Sequence, residues 1–309
     1  MSNYTYFPGG IVSQGVPVFS GGQHRPIMGN VFFVDSGHAS AADDPYGGDK
    51  DAPFATLDYA ISQCTSNNGD RIYVLDGHSE TVANTTAFNV DKAGIEIIGL
   101  GRGSLKPTFS LETLSAATVT VGSANTLIEN IRINANVTGG SLVGLTVGAG
   151  ADGSVFNNVD MYDTTSGKEF IKGISIAADA DDLVFANCKY YGKAGGSTTN
   201  AVYAAGGADR LQFYNNFIDV DASSSAVAID KATSNGIQFV GNRIIQRDTG
   251  AGLGVSFHAS SADGIAALNF VANLKNGVAP FTGSAMTYFE NYGSNAAAAS
   301  GIILPAVDE

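Results

Sequence analysis

The chain has 309 residues, 44% of them hydrophobic, enough to bury a sizeable core, and its formal net charge is −13. That charge excludes the basic footprint of a nucleic-acid binder and any steering toward an anionic membrane, so neither partner is expected. Thirty-nine glycines, no tryptophan and only 15% charged residues suit an all-β chain with many tight turns.

In residues 1–30, Pro8-Gly-Gly10, Gly15-Val-Pro17 and Gly21-Gly22 interrupt the apolar residues Tyr4, Tyr6, Phe7, Val16, Val18 and Phe19. The pattern is that of an extended arm, too apolar for a solvated tail, that lies against another subunit or another protein. Met1-Ser-Asn-Tyr-Thr-Tyr6 has neither a basic region nor an apolar stretch, so no cleavable secretory signal is expected. Further on, Phe54, Leu57, Ile61 and Cys64 recur at helical spacing and predict a short amphipathic helix. Cys64 and Cys188, the only cysteines, read as small buried hydrophobes. Gly99-Leu-Gly-Arg-Gly103 imitates a phosphate loop, but Leu105-Lys-Pro107 follows where a helix would be needed, so it reads as a turn.

From Gly94 to Asn273 the chain repeats. Phe156, Phe185, Phe213 and Phe239 are each followed two residues later by Asn158, Asn187, Asn215 and Gly241, with Asn130 and Asn269 placed outside them in the same series. A second track, Gly144–Val147, Gly173–Ile176, Ala201–Ala204, Ala226–Ile229 and Gly254–Phe257, keeps the same phase. Short turns rich in Asp, Asn and Gly separate the two tracks, residue types that tolerate a left-handed corner. Each unit of about 28 residues predicts at least two short alternating strands and a more variable third side. A single unit cannot bury its apolar row, but stacked units can. The expected architecture is an all-β, right-handed parallel β-helix. Its interior carries a Phe row, and Asn130, Asn158, Asn187 and Asn215 form an amide ladder at a corner. The expected divisions are an arm (1–30), a coil with an N-terminal cap (31–275) and a C-terminal cap or tail (276–309).

Phe32-Phe-Val-Asp-Ser-Gly37, Gly47 through Ile61, Gly69 through Gly77, and Ile95 through Gly103 followed by Pro107 resemble the opening of pectate-lyase-like right-handed β-helix proteins. The resemblance implies the fold over about residues 31–275 and a helix plugging the open end of the coil. It leaves activity open, because lyases, hydrolases and non-enzymatic virion proteins share this fold. Arms flanking such a coil further resemble structural proteins of tailed-phage particles. That resemblance implies a homotrimer contacting a major capsid protein or another virion protein, assembled in the host cytoplasm.

Candidate chemistry is sparse. Asp219 and Asp221 alternate on one strand with Asp230 nearby, and a glycosidase would need two such carboxylates across a groove. A solvated outer face is the commoner reading of that pattern. Lys172, Lys189 and Lys193 are available as bases but stand apart from any acid pair. Two acidic runs, Asp179, Asp181 and Asp182, and Asp43, Asp44, Asp49 and Asp51, could hold calcium, although solvated loops are commoner. His78 and Glu80 read as turn residues. No metal, cofactor or catalytic residue is assigned. The leading expectation is a non-enzymatic capsid decoration protein. The alternatives are a polysaccharide-degrading β-helix enzyme, with Asp219, Asp221 and Asp230 as suspects, or a carbohydrate-binding adhesin.

Overall fold

The computed structural model describes residues 29–248, 250, 252–273 and 280–295, together with short strands at Val12–Ser13, Val16–Pro17 and Gly301–Ile303. Three parallel sheets run the length of the described coil. The first extends from Val31–Val34 to Thr287–Phe289, the second from Ser79–Val82 to Asn291–Asn295, and the third from Asn89–Val90 to Phe281–Thr282. Each strand pairs with the equivalent strand one coil before and one coil after, as in Phe156↔Phe185↔Phe213↔Phe239. The fold is therefore a parallel β-helix. The sheets continue past residue 275, and Gly301–Ile303 then pairs antiparallel with the last long strand of the second sheet.

The interior follows from alternation. In strands such as Val155–Asn157 and Val184–Ala186 the central Phe is buried and its neighbours are half-exposed. Phe156, Phe185 and Phe213 stack nearly flat, with centroids 4.7 and 5.1 Å apart, and Phe239 tilts at 5.7 Å. Each such side chain contributes about 1.5–3 kcal/mol by leaving water. The second sheet, which shows no comparable aromatic row in sequence, occupies the side expected to be variable. It fills the core with Phe109, Ile133, Met161, Tyr190, Ile218, Ile244 and Val271.

From Asn130 to Asn269 the corner between the first and second sheets is two residues long in every coil. Its first residue is left-handed at Asn130, Asn158, Asn187, Asn215 and Gly241, with φ between 54° and 69°. Asparagine stands there because its short polar side chain tolerates that backbone. These four residues do not form a continuous amide ladder. Asn158 donates to Asn130 Oδ1 at 2.8 Å, but Asn187 turns to Asn157 instead. The ladder lies one residue later, where Asn216 donates to Asn242, Asn242 to Asn269 and Asn269 to Asn291, at 2.8–3.0 Å. Asn269 thus belongs to this inner column, and Leu268 follows Gly241 in the left-handed one. In earlier coils the inner column is apolar, with Ile131, Val159 and Cys188.

The third-to-first corner carries a second ladder that the sequence reading missed. The carboxylate of Asp152 accepts the N–H of Asp181, Asp181 that of Asp209, and Asp209 that of Asn235. The side chains replace ladder bonds at a bend where backbone pairing alone cannot satisfy every donor.

The predicted helix is Leu57–Gln63, N-capped by Thr56, with Leu57, Ala60 and Ile61 buried. In the first coil only the first sheet has a strand, and the helix follows it, ahead of the first strands of the other two sheets. Asp58 accepts the N–H of Asn89 on the first strand of the third sheet. Glu80, on the first strand of the second sheet, accepts the N–H of Leu57. Hydrogen bonds thus join the helix to the first strand of each of those two sheets. Glu80 and His78 are part of this junction and not simple turn residues. His78 Nδ1 accepts the N–H of Ser36 at 3.0 Å, which assigns the hydrogen on Nε2 to the 3.1 Å bond with Glu80.

In the arm, Val12–Ser13 pairs antiparallel with Val16–Pro17. Tyr4, Tyr6, Phe7, Val18 and Phe19 lie outside the described residues, and of Val16 the structure describes only its place in that strand.

Candidate functional site

Asp219 and Asp221 stay two residues apart along the chain, and Asp230 does not join them. Asp219 lies on the outer face of the second sheet, with Arg247 Nε 2.9 Å from its carboxylate. Asp221, at the following corner, accepts the N–H of Gly195. Asp230 follows the third-sheet strand Ser225–Ile229, where Ser256 donates to it at 2.7 Å and Lys231 lies at 3.1 Å. That strand separates Asp221 from Asp230 by about 16 Å at ~3.3 Å per residue. Glycosidase carboxylates stand about 5–9.5 Å apart. Each of the three acids instead ties a loop or a neighbouring strand.

The lysines are equally dispersed. Lys172 sits over the ring of Tyr203 on the third sheet, Lys189 lies on the outer face of the second, and the Lys193 N–H donates to Asp163 at the corner. Among the described residues, no three His, Cys, Asp or Glu side chains are grouped to hold a metal. In the acidic N-terminal loop, Asp43 accepts from Ala55 and Thr56, Asp44 from Tyr46, and Asp49 from Asp51 and Ala52. Those bonds are turn chemistry. Arg210 pairs with Asp181 and with Asp182, and the second pairing lowers the Asp182 carboxyl below its ordinary value. At Gly99–Gly103 the loop presents carbonyls, not amides. The Gly99 and Gly101 oxygens both accept from Asn130 Nδ2, at 2.7 and 3.1 Å, and a Cβ on Gly99 would collide with the Asn130 carbonyl.

Two features of the surface stand out. The first is a hollow of about 370 Å³ between loops joining the second and third sheets, lined by Gly139, Gly167, Gly195, Gly196, Ser166, Ser197 and Glu169. Asp163, which does not line it, is a buried carboxyl on the last residue of its strand. It accepts from the Phe170 and Lys193 N–H groups and from the Tyr190 hydroxyl. Burial raises its pKa to about 6, with Glu169 adding to the shift and the backbone bonds opposing it. Glu169, also buried, accepts the N–H of Gly167.

The second feature is an aromatic and cationic band on the outer face of the second sheet. Tyr162 stacks on Tyr191 at 4.8 Å, and Phe217 follows at 5.4 Å. Arg132 lies over Tyr162, and Arg243 stands between Phe217 and Phe270, 5.7 Å from each ring. At the foot of the band Lys106 and Asp160 form a buried ion pair at 2.9 Å. Burial lowers the Lys106 pKa even so, with Asp160 opposing the shift.

No known protein family and no curated protein matches the sequence. Among solved structures, a rhamnogalacturonan lyase is similar with a TM-score of 0.62 and 15% identity, over 87% of this chain and 75% of that one. A protein described as Geobacillus virus E2 ORF18 aligns over 85% of this chain and 61% of its own, at 13% identity, but its TM-score of 0.33 carries no weight. At such identities the likeness to the lyase concerns the fold alone. With the three parallel sheets and their stacked core, it shows that the chain shares the parallel β-helix fold of the pectate-lyase-like proteins.

Proposed function

We propose that this chain is a non-enzymatic structural protein of a phage particle, a decoration protein that holds the shell through residues 1–30. The observation that carries this reading is the use made of the acids. Asp219, Asp221 and Asp230, the acids that the sequence offers as suspects for catalysis, are each engaged in holding the coil together. The helix tied across the first coil, the apolar N-terminal sequence and the acidic surface support the same role. The test is binding of purified protein to assembled capsids, compared with a variant lacking residues 1–30. Loss of binding on truncation is the expected result. Full binding by the truncated protein would overturn the role of the arm.

A second reading, a polysaccharide-cleaving enzyme, is favoured by one observation. The buried Glu169 lines an open hollow and helps raise the neighbouring Asp163 carboxyl, with burial the larger cause, to about 6, an environment that suits a general acid. Incubation with a panel of capsular and plant glycans separates the two readings. Depolymerisation abolished by both Asp163→Asn and Glu169→Gln would establish the enzyme, and an unaltered panel would leave the structural role.

A further inference from the structure

We infer that the last coils of the second-sheet face form a self-complementary surface that docks a second copy of this chain, with the two solenoid axes antiparallel. Four large apolar side chains cluster where the first sheet turns into the second: Leu268, Phe270, Phe289 and Tyr292, exposed by 54, 43, 56 and 48%. They are neighbours by register, since Phe270 is paired with Tyr292, Ala267 with Phe289, and the Leu268 N–H with the Phe289 carbonyl. Contiguous exposed apolar residues of this size, rich in aromatics and with an arginine among them, have the composition of a protein–protein contact.

Leu268 is the second, independent sign. It stands in the left-handed column at φ 57°, where earlier coils place asparagine or glycine. A bulky side chain in that conformation costs free energy, and exposing more than half of it to water costs more. Within the described chain the side chain stays more than half exposed. Docking against an apolar partner offsets the second cost.

Charge identifies the partner. Arg243 stands one rung below Phe270, and Glu290 one rung above Leu268. Both are exposed, and among the described residues neither makes an ion pair. A two-fold axis lying across the sheet at the level of Phe270 exchanges the rung above with the rung below. Phe270 then meets Phe270 and Leu268 meets Leu268. Arg243 meets the partner subunit's Tyr292, with the partner's Glu290 within reach of its long side chain. The surface thus supplies its own counter-charges, which suits a second copy of a chain whose net charge of −13 repels it elsewhere. The copy number is two at this surface, not the three that the resemblance to phage proteins implies. The inference goes beyond the proposed role on the shell, which does not depend on it.

Sedimentation velocity on the full chain tests it. The native protein is expected as a dimer at micromolar concentration, and Phe270→Glu raises the dissociation constant at least about tenfold. Arg243→Glu and Glu290→Arg each weaken the dimer, and the two together restore it in large part. Leu268→Asn gives the most discriminating result: it dissociates the dimer while raising the melting temperature of the monomer, because asparagine suits the left-handed backbone. A purely structural Leu268 would give a lower melting temperature. A native protein that is monomeric at all concentrations, or a dimer indifferent to Phe270→Glu and Leu268→Asn, would overturn the inference. Either result would leave capsid binding through residues 1–30 to be judged on its own.

Discussion

Asp163 shows how one residue links burial, loop geometry and pH. Its carboxyl gathers the N–H groups of Phe170 and Lys193 and the hydroxyl of Tyr190, so it organises the corner between the second and third sheets. Burial nevertheless raises its folded pKa from 3.8 to about 6. Between those values the folded chain binds a proton that the unfolded chain has released. The contribution to stability is therefore complete below about pH 4 and is lost as pH rises through 6. Its full extent is about 3 kcal/mol at most. Urea midpoints for the wild type and Asp163→Asn at pH 4 and pH 7 test this. The wild type is expected to gain on the variant as pH falls, and parallel curves would refute the assignment. The buried thiols are a contrasting case, since burial pushes both Cys64 and Cys188 up to about 12 and leaves them inert in the native state.

At the scale of an element, the Asn216–Asn242–Asn269–Asn291 column is a buried polar network in which each amide is hydrogen-bonded to its neighbours in the column. Asn242 donates to the Phe213 carbonyl at 2.9 Å and to Asn269, while it accepts from the Asn216 N–H and side-chain amide. Replacing it with leucine leaves several of these groups without partners in the interior. At about 1–3 kcal/mol for each unsatisfied buried group, the expected loss is at least 2 kcal/mol, read as a fall in the denaturation midpoint. The apolar column of Ile131 and Val159 shows that the same corner can also be closed without amides. The cost of Asn242→Leu therefore lies in the mismatch with its neighbours and not in the corner itself. A loss below about 0.5 kcal/mol would mean that the ladder is decorative.

At the scale of the molecule, each coil touches chiefly the coils before and after it, so stability is a sum of neighbour interfaces. Interior coils have two such interfaces and end coils have one. Hydrogen exchange is expected to be slowest in strands such as Val184–Ala186 and Gln212–Tyr214 and fastest at Thr287–Phe289 and Phe281–Thr282, where the described first and third sheets end. The helix Leu57–Gln63, tied to the first strands of the second and third sheets, should make the N-terminal end exchange more slowly than the C-terminal end. Equal exchange at the two ends would contradict the tying role given to Asp58 and Glu80.

The sequence by itself determined the repeat, and through it the stacking, because equivalent apolar residues at a constant spacing can be buried only against one another. Phe156, Phe185, Phe213 and Phe239 were legible for that reason, and so were the left-handed corners, since backbone conformation is a local property of Asn and Gly. The tertiary structure alone decided what depends on register between coils. It placed the amide ladder one residue beyond the most conspicuous asparagines and turned Asp152, Asp181 and Asp209 into acceptors along a corner. It also set Asp221 and Asp230 at opposite ends of one strand. Hydrogen bonds of that kind join residues some 28 positions apart, and a shift of one residue exchanges inside for outside, so no local pattern in the chain could reveal them.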